Sequence, residues 1–160
     1  MLQRVQTIYL SVTFILTLLM FFLPMANFQV EGDLFSFKAL GLEKELSDGS
    51  SASYEVYSIA LFTLLVVILL VNVVGIFLYK NRIFQIRFNV LNIFLYIGVY
   101  PLFFLFVWTA FSKIGISKED VLLGYSYPLL FPVLNIILTY LAIRAIGADE
   151  ALVRSLDRIR

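Results

Sequence analysis

The sequence has neither cysteine nor histidine among its 160 residues. These two absences exclude disulfides, thiolate nucleophiles, imidazole acid/base catalysis and the usual zinc and haem ligands. Charged residues make up only 14% of the chain, against 61% hydrophobic residues, and the mean hydropathy is +0.95. Soluble domains do not have this composition, so we interpret residues 1–160 as one membrane domain. We expect no catalytic residues, no cofactor, no metal and no nucleic-acid partner.

Four apolar stretches are long enough to cross the roughly 30 Å hydrocarbon core as helices. They lie near residues 6–25, 57–79, 88–111 and 127–146. The predicted class is all-α, an up-down bundle of four transmembrane helices. In the outer loop at 26–56, apolar and polar residues alternate on both sides of Glu31-Gly32-Asp33, which predicts a small extracytoplasmic β-hairpin. The stretch from Gly41 to Ser53 is rich in Gly, Ser and charge, which predicts a mobile loop.

Basic residues collect on one side of the predicted spans. With both termini in the cytoplasm, eight basic residues lie inside and four outside, and the opposite topology inverts that count. The eight are Arg4, Lys80, Arg82, Arg87, Arg144, Arg154, Arg158 and Arg160. We therefore expect both the N-terminus and the C-terminus to lie in the cytoplasm. Its first span should be an uncleaved anchor, because no small-x-small cleavage site follows it.

Neutral polar residues recur at helical spacing inside the predicted spans. The candidate residues for interhelical contacts or a cavity are Asn72, Asn89, Asn92, Tyr96, Tyr100, Asn135 and Thr139. Thr13 and Thr17 have the same spacing in the first span. An unpaired amide in hydrocarbon costs several kcal/mol, so these faces should point towards other helices. They either form interhelical hydrogen bonds or line a small polar cavity open to the cytoplasm, suited to a lipid headgroup or a neutral solute.

The last twelve residues form the most patterned segment of the chain. Gly147 suits the end of the fourth span, and the acids at Asp149 and Glu150 suit the start of a further helix. We predict a short amphipathic cytoplasmic helix over residues 149–160, serving as an interfacial anchor or as a docking helix. Gln3, Arg4 and Gln6 should emerge nearby, so that Arg4 or one of the glutamines can donate to an acid of this helix. The candidate docking residues are Arg4, Asp149, Glu150, Arg154, Asp157 and Arg158.

Two terminal motifs carry a family resemblance. The first is Met1-Leu2-Gln3-Arg4-Val5-Gln6-Thr7-Ile8-Tyr9-Leu10, and the second is Asp149-Glu150-Ala151-Leu152-Val153-Arg154-Ser155-Leu156-Asp157-Arg158-Ile159-Arg160. They resemble the opening and closing motifs of a group of Bacteroidota membrane proteins, the domain-of-unknown-function family 4293. The resemblance implies a bacterial inner-membrane protein with four helices, and it implies no activity.

Two functional hypotheses remain open at this stage, with an enzyme as a weaker third. The leading one is a non-catalytic accessory or scaffold subunit that contacts the lipid bilayer and another membrane or cytoplasmic protein. The alternative is a small lipid-binding protein or carrier that uses a polar cavity on the cytoplasmic side. A closed interior would favour the first hypothesis, and a wet pocket would favour the second.

Overall fold

Four long helices and a small antiparallel sheet make up the computed structural model, which describes residues 2–30, 33–45, 51–114 and 122–157. The helices are α1 (Leu2–Phe22), α2 (Ile59–Phe77), α3 (Arg82–Ile114) and α4 (Phe131–Asp157). The strands are β1 (Ala26–Val30), β2 (Asp33–Lys38), β3 (Gly41–Glu45), β4 (Ser51–Tyr57) and β5 (Leu122–Tyr125). Short 3-10 helices at Leu78–Lys80 and Tyr127–Leu130 precede α3 and α4.

All four helices are long and apolar enough to span a membrane. Only 28% of each apolar window is buried inside the protein, and large side chains such as Ile15, Leu70, Phe94 and Leu105 are more than half exposed. Buried amides and hydroxyls lie behind this apolar surface. Water would disfavour such an arrangement, whereas hydrocarbon favours it. The surface therefore indicates association with a membrane.

The helices form a closed ring of contacts. Helix α1 contacts α2 and α4, and α3 contacts the same two helices from the other side. The turn at Leu78–Lys80 makes α2 and α3 antiparallel neighbours. The opposite helix ends meet at the sheet, where Met25 N donates to Phe37 O at 2.7 Å and Ser58 N donates to Leu40 O at 3.2 Å. Consecutive helices therefore run in opposite directions.

The sheet has the strand order β4-β3-β2-β1-β5, and every neighbouring pair is antiparallel. Phe28 lies opposite Phe35, and Ala26 lies opposite Phe37, so these residues share one face of the sheet. All four are buried. This face packs on the end of α3, where the ring of Phe37 lies 4.4 Å from that of Phe106.

The sequence predicts a small hairpin in the first loop, whereas the structure has a five-stranded sheet that contains this hairpin. The segment predicted to be a mobile loop supplies β3 at Gly41–Glu45 and the start of β4 at Ser51–Tyr57. Leu42 is 1% exposed in the core, which explains why β3 is held in place despite its Gly and charge content. The fifth strand comes from the third loop, where it pairs with β1 across more than ninety residues of sequence. Local patterns do not report such distant pairing.

The predicted separate C-terminal helix is also wrong, because α4 continues without a break from Phe131 to Asp157. Gly147 lies within this helix and does not end it. Glycine inside a helix costs only about 1 kcal/mol relative to alanine. Ion pairs of Asp149 and Glu150 with Arg82 hold the turn that follows Gly147 to α3.

The helices also begin and end at residues other than those predicted from the apolar stretches. Helix α1 starts four residues earlier than the predicted span, and α3 includes most of the predicted basic loop between Lys80 and Arg87. At 33 residues, α3 is about 50 Å long, which exceeds the roughly 30 Å hydrocarbon core. Charged residues mark where the hydrocarbon ends, and a helix need not end there.

Candidate functional site

Six polar side chains from all four helices meet in the interior and are completely buried. This polar network consists of Thr13, Thr17, Asn72, Asn92, Tyr96 and Asn135. The helical spacing of Asn72, Asn92, Tyr96 and Asn135 predicts that they face the interior and share hydrogen bonds, and the structure confirms it. The network therefore links every helix to at least one other.

Thr17 is one centre of the network. Its Oγ1 donates its single proton to the Thr13 carbonyl oxygen at 2.7 Å. The 2.7 Å contact between Thr17 Oγ1 and the Tyr96 phenol oxygen must then carry the phenol proton. Asn135 Nδ2 donates to the same Oγ1 at 3.2 Å. One hydroxyl therefore joins α1 to α3 and α4, with its proton and both lone pairs in use.

Asn72 is the second centre. Its Nδ2 donates to the Tyr96 phenol oxygen at 2.9 Å, while its Oδ1 accepts from Asn92 Nδ2 at 3.0 Å. Thr13 Oγ1 lies 3.1 Å from Asn72 Oδ1 and 2.8 Å from the Leu10 carbonyl oxygen. Since a hydroxyl has one proton, Thr13 shares it between these two acceptors. The amide of Asn72 thus connects α2 to both neighbouring helices.

A second group of buried polar residues continues the stripe on α3 towards the α2–α3 turn. Gln85 and Asn89 are each 1% exposed, and Gln85 Nε2 donates to the Gly75 carbonyl oxygen at 2.9 Å. The absence of a side chain at Gly75 brings α2 close to α3, because a Cβ there would lie 3.3 Å from Asn89 Oδ1. Helix packing in membranes relies on such small residues.

Five buried polar atoms in this region have no hydrogen-bond partner among the described residues. They are Gln85 Oε1, Asn89 Nδ2, Asn92 Oδ1, Asn135 Oδ1 and Thr139 Oγ1. Buried polar groups in proteins are normally satisfied by protein or by ordered water. Four of the five are oxygens, so a donor such as water suits the region.

Tyr100 does not join the network, although it continues the predicted stripe. Its phenol donates to the Leu129 carbonyl oxygen at 3.0 Å, which ties α3 to the segment that precedes α4. Tyr100 is only partly buried. The prediction from spacing is therefore correct for Asn92 and Tyr96. Tyr100 lies one turn further along α3 and makes a different contact.

Of the grooves on the described surface, two are large enough to hold a small molecule, and neither is lined by a residue of the polar network. The larger, of about 540 Å³, lies between α1 and α2 beside the sheet. The smaller, of about 400 Å³, lies between α3 and α4 near Arg87 and Glu150. The members of the polar network make hydrogen bonds to one another, while Asn92 Oδ1 and Asn135 Oδ1 lack a partner among the described residues.

Two of the acids predicted to contact Arg4, Asp149 and Glu150, form ion pairs with Arg82 at the start of α3. Arg82 Nη2 lies 3.0 Å from Asp149 Oδ2, and Arg82 Nη1 lies 3.7 Å from Glu150 Oε2. Both contacts have the distance of an ion pair and lie in a setting where each side chain is at most 26% exposed. The side chains of Arg4, Arg154 and Asp157 and the whole of Arg158 lie outside the described residues.

Four contributors are absent from the candidates that the sequence offers, namely Thr13, Thr17, Gln85 and Arg82. The spacing of Thr13 and Thr17 predicts a shared helix face, and their contacts follow only from the assembled helices. Gln85 lies one turn before Asn89, so the same spacing could have identified it. From the sequence, Arg82 counts only towards the topology, because its ion partners on α4 are distant in sequence.

All six members of the network are uncharged side chains, and they connect helices through neutral hydrogen bonds. In the described part of the chain, no cluster of three or more carboxylates could hold a metal ion. The arrangement is suited to fixing four helices in one register. It resembles the polar contacts that join transmembrane helices generally.

A family model described as "Domain of unknown function (DUF4293)" matches residues 2–159. The chain belongs to the DUF4293 family. This match covers almost the whole sequence and confirms the family suggested by the two terminal motifs. No curated protein matches the sequence. The polar network and the sheet are therefore structural features of a DUF4293 domain.

Proposed function

We propose that this DUF4293 protein is a non-catalytic accessory or scaffold subunit in the inner membrane of a bacterium of the Bacteroidota. In this proposal the helices form a transmembrane bundle with both termini in the cytoplasm. The observation that carries it is the buried polar network, which links the four helices through hydrogen bonds between uncharged side chains. A rigid bundle of this kind is suited to holding a partner in place.

The charge distribution supports the orientation. The start of α1, the α2–α3 turn and the end of α4 lie at one end of the helices, and the sheet lies at the other. Arg82, Arg87 and Arg144 belong to the first end, which therefore faces the cytoplasm under the positive-inside rule. The sheet then lies on the extracytoplasmic side.

Single cysteines in this cysteine-free chain test the orientation directly. Ser50→Cys should react with a membrane-impermeant thiol reagent in intact spheroplasts, and Asn81→Cys should react only after lysis. The native chain is the blank, because it has no cysteine. Labelling of Asn81→Cys in intact spheroplasts would overturn the topology.

The length of α4 supports a docking role for the cytoplasmic end. Its 27 residues extend about 40 Å, roughly 10 Å more than the hydrocarbon core requires. The last turns therefore project from the membrane as a continuation of the bundle. Arg82 holds this projection to α3 through Asp149 and Glu150. A fixed projection presents the same surface to every partner molecule.

Purification in gentle detergent from the native membrane tests the docking role. Charge reversal at Arg154 and Arg158 should reduce the recovery of specific partners and leave membrane insertion intact, because the spans insert by hydrophobicity. Reversal at Lys113 and Lys118 is the matched control, since it changes two basic residues that lie in the sequence between the third and fourth apolar stretches. If a chain ending at Ala148 recovers every partner of the full-length protein, the docking role is refuted.

The five unpartnered polar atoms favour a second candidate function, a carrier or lipid-binding protein with a polar pocket on the cytoplasmic side. In that case a small thiol reagent should reach Thr139→Cys from the cytoplasmic face. Ile68→Cys, which replaces a buried apolar residue, is the matched control. Failure to label Thr139→Cys in the folded protein would leave the scaffold as the better explanation.

A further inference from the structure

An apolar groove runs between α1 and α2 next to the sheet, with a volume of about 540 Å³. This lies within the range of roughly 300 to 1,000 Å³ that is usual for small-molecule sites. Its helical walls are Leu18, Phe21, Phe22, Phe62, Val66 and Leu69. From Phe62 to Leu69 the wall follows two turns of α2, about 10 Å. An extended hydrocarbon chain fits a site of this shape and chemistry.

The groove has a charged rim where it meets the sheet. Lys38 and Glu43 line it, and Lys38 Nζ donates to Glu43 Oε2 at 2.6 Å. Their side chains are 34% and 29% exposed, so both still reach solvent and headgroups. An ammonium has three donors and a carboxylate has two acceptor oxygens. After their mutual contact, Lys38 can still bind an anion and Glu43 can still bind a cation.

We propose that this groove binds one acyl chain of a phosphoethanolamine lipid, with the lipid phosphate at Lys38 and its ammonium at Glu43. This site goes beyond the scaffold function, because it lies beside the sheet, away from the cytoplasmic end. The rim carries one charge of each sign, which complements a zwitterionic headgroup. An anionic headgroup would meet repulsion from Glu43. A primary ammonium also donates hydrogen bonds to a carboxylate, which a quaternary ammonium does not.

Native mass spectrometry of the full chain in mixed micelles, with equimolar phosphatidylethanolamine and phosphatidylglycerol, tests the headgroup contact. The native chain should retain more phosphatidylethanolamine. Glu43→Gln removes the repulsion and the ammonium partner, so it should shift the retained ratio towards phosphatidylglycerol by about fivefold, which corresponds to about 1 kcal/mol. The exchange variant Lys38→Glu with Glu43→Lys keeps an ion pair but reverses its direction, so the preference should fall. An unchanged lipid ratio in both variants would overturn the proposal.

A second pair of variants tests the acyl-chain contact. Val66→Trp fills the groove and should abolish retention of the tightly held lipid. Leu70→Trp is the matched control, because Leu70 is 59% exposed and does not line the groove. Equal retention by both tryptophan variants would show that the lipid is part of the general annulus, and the site would be refuted. The rim variants keep the test decisive if Val66→Trp does not fold. The lipid readout is also independent of partner recovery, so either proposal can fail alone.

Discussion

Replacing Tyr96 with phenylalanine removes one oxygen from the middle of the polar network and leaves the ring in place. That oxygen accepts from Asn72 Nδ2 at 2.9 Å and donates to Thr17 Oγ1 at 2.7 Å. Interhelical hydrogen bonds in membranes contribute about 0.6 kcal/mol on average and up to about 1.7 kcal/mol. Two lost bonds therefore predict a destabilisation of about 1 to 2 kcal/mol, with the larger value if Asn72 Nδ2 finds no other acceptor.

The measurement is equilibrium unfolding in mixed micelles of rising denaturing-detergent content. Far-ultraviolet circular dichroism reports the helices, and the fluorescence of Trp108, the single tryptophan, reports α3. Tyr100→Phe is the matched control, because its phenol donates to the Leu129 carbonyl oxygen, outside the network. It should cost only about 0.6 kcal/mol.

A double-mutant cycle separates the Tyr96–Thr17 contact from the general effect of each substitution. Thr17→Val removes the partner hydroxyl while keeping a branched side chain of similar size. The two changes should couple by about 0.6 to 1.7 kcal/mol, since the atoms touch directly. No coupling, or a Tyr96→Phe cost no greater than that of Tyr100→Phe, would refute the view that this network holds the helices together.

Three further changes have expected outcomes. Gly147→Ala should stabilise the fold by up to about 1 kcal/mol in the same assay, because Gly147 lies inside α4 with nothing within 4 Å of the added Cβ. Destabilisation would mean that the helix breaks at this residue. Arg82→Gln should cost about 1 to 2 kcal/mol, and less at high salt, because it removes the cation that contacts Asp149 and Glu150. Arg87→Gln is the control, and an equal cost would contradict the ion-pair role of Arg82. Asn135→Leu should cost about 1 kcal/mol through the lost bond to Thr17, and a gain in stability would instead show that Asn135 Oδ1 is unsatisfied.

The apolar runs predict four helices correctly because bilayer thickness sets the length of a span, and this requirement is visible locally. The burial of Asn72, Asn92 and Asn135 is equally predictable, since an amide facing lipid is too costly. Their pairing is not predictable in the same way. Four stripes can combine in several registers, and only the assembled helices show that Thr17 is the shared acceptor.

The sheet shows the limit of local pattern most clearly. The alternation around Phe28 and Phe35 predicts β1 and β2, because these strands are neighbours in sequence. Strand β5 has only four residues, Leu122 to Tyr125, and pairs with β1 from the other side of two helices. Its position depends on α2 and α3, which return the chain to the end of the molecule where β1 lies. A short window of sequence carries no information about this return.

The polar interior and the apolar surface have one physical origin. In water, burying Leu and Phe would drive the helices together, but lipid surrounds such side chains as favourably as a protein core does. Association must then rest on close packing and on polar groups that hydrocarbon rejects. Gly75 permits the close approach of α2 to α3, and the network of Asn72, Tyr96 and Thr17 supplies the polar contacts. Removing the polar groups should therefore loosen the helices from one another while leaving each helix in the membrane, which is the separation that the Tyr96 and Thr17 variants measure.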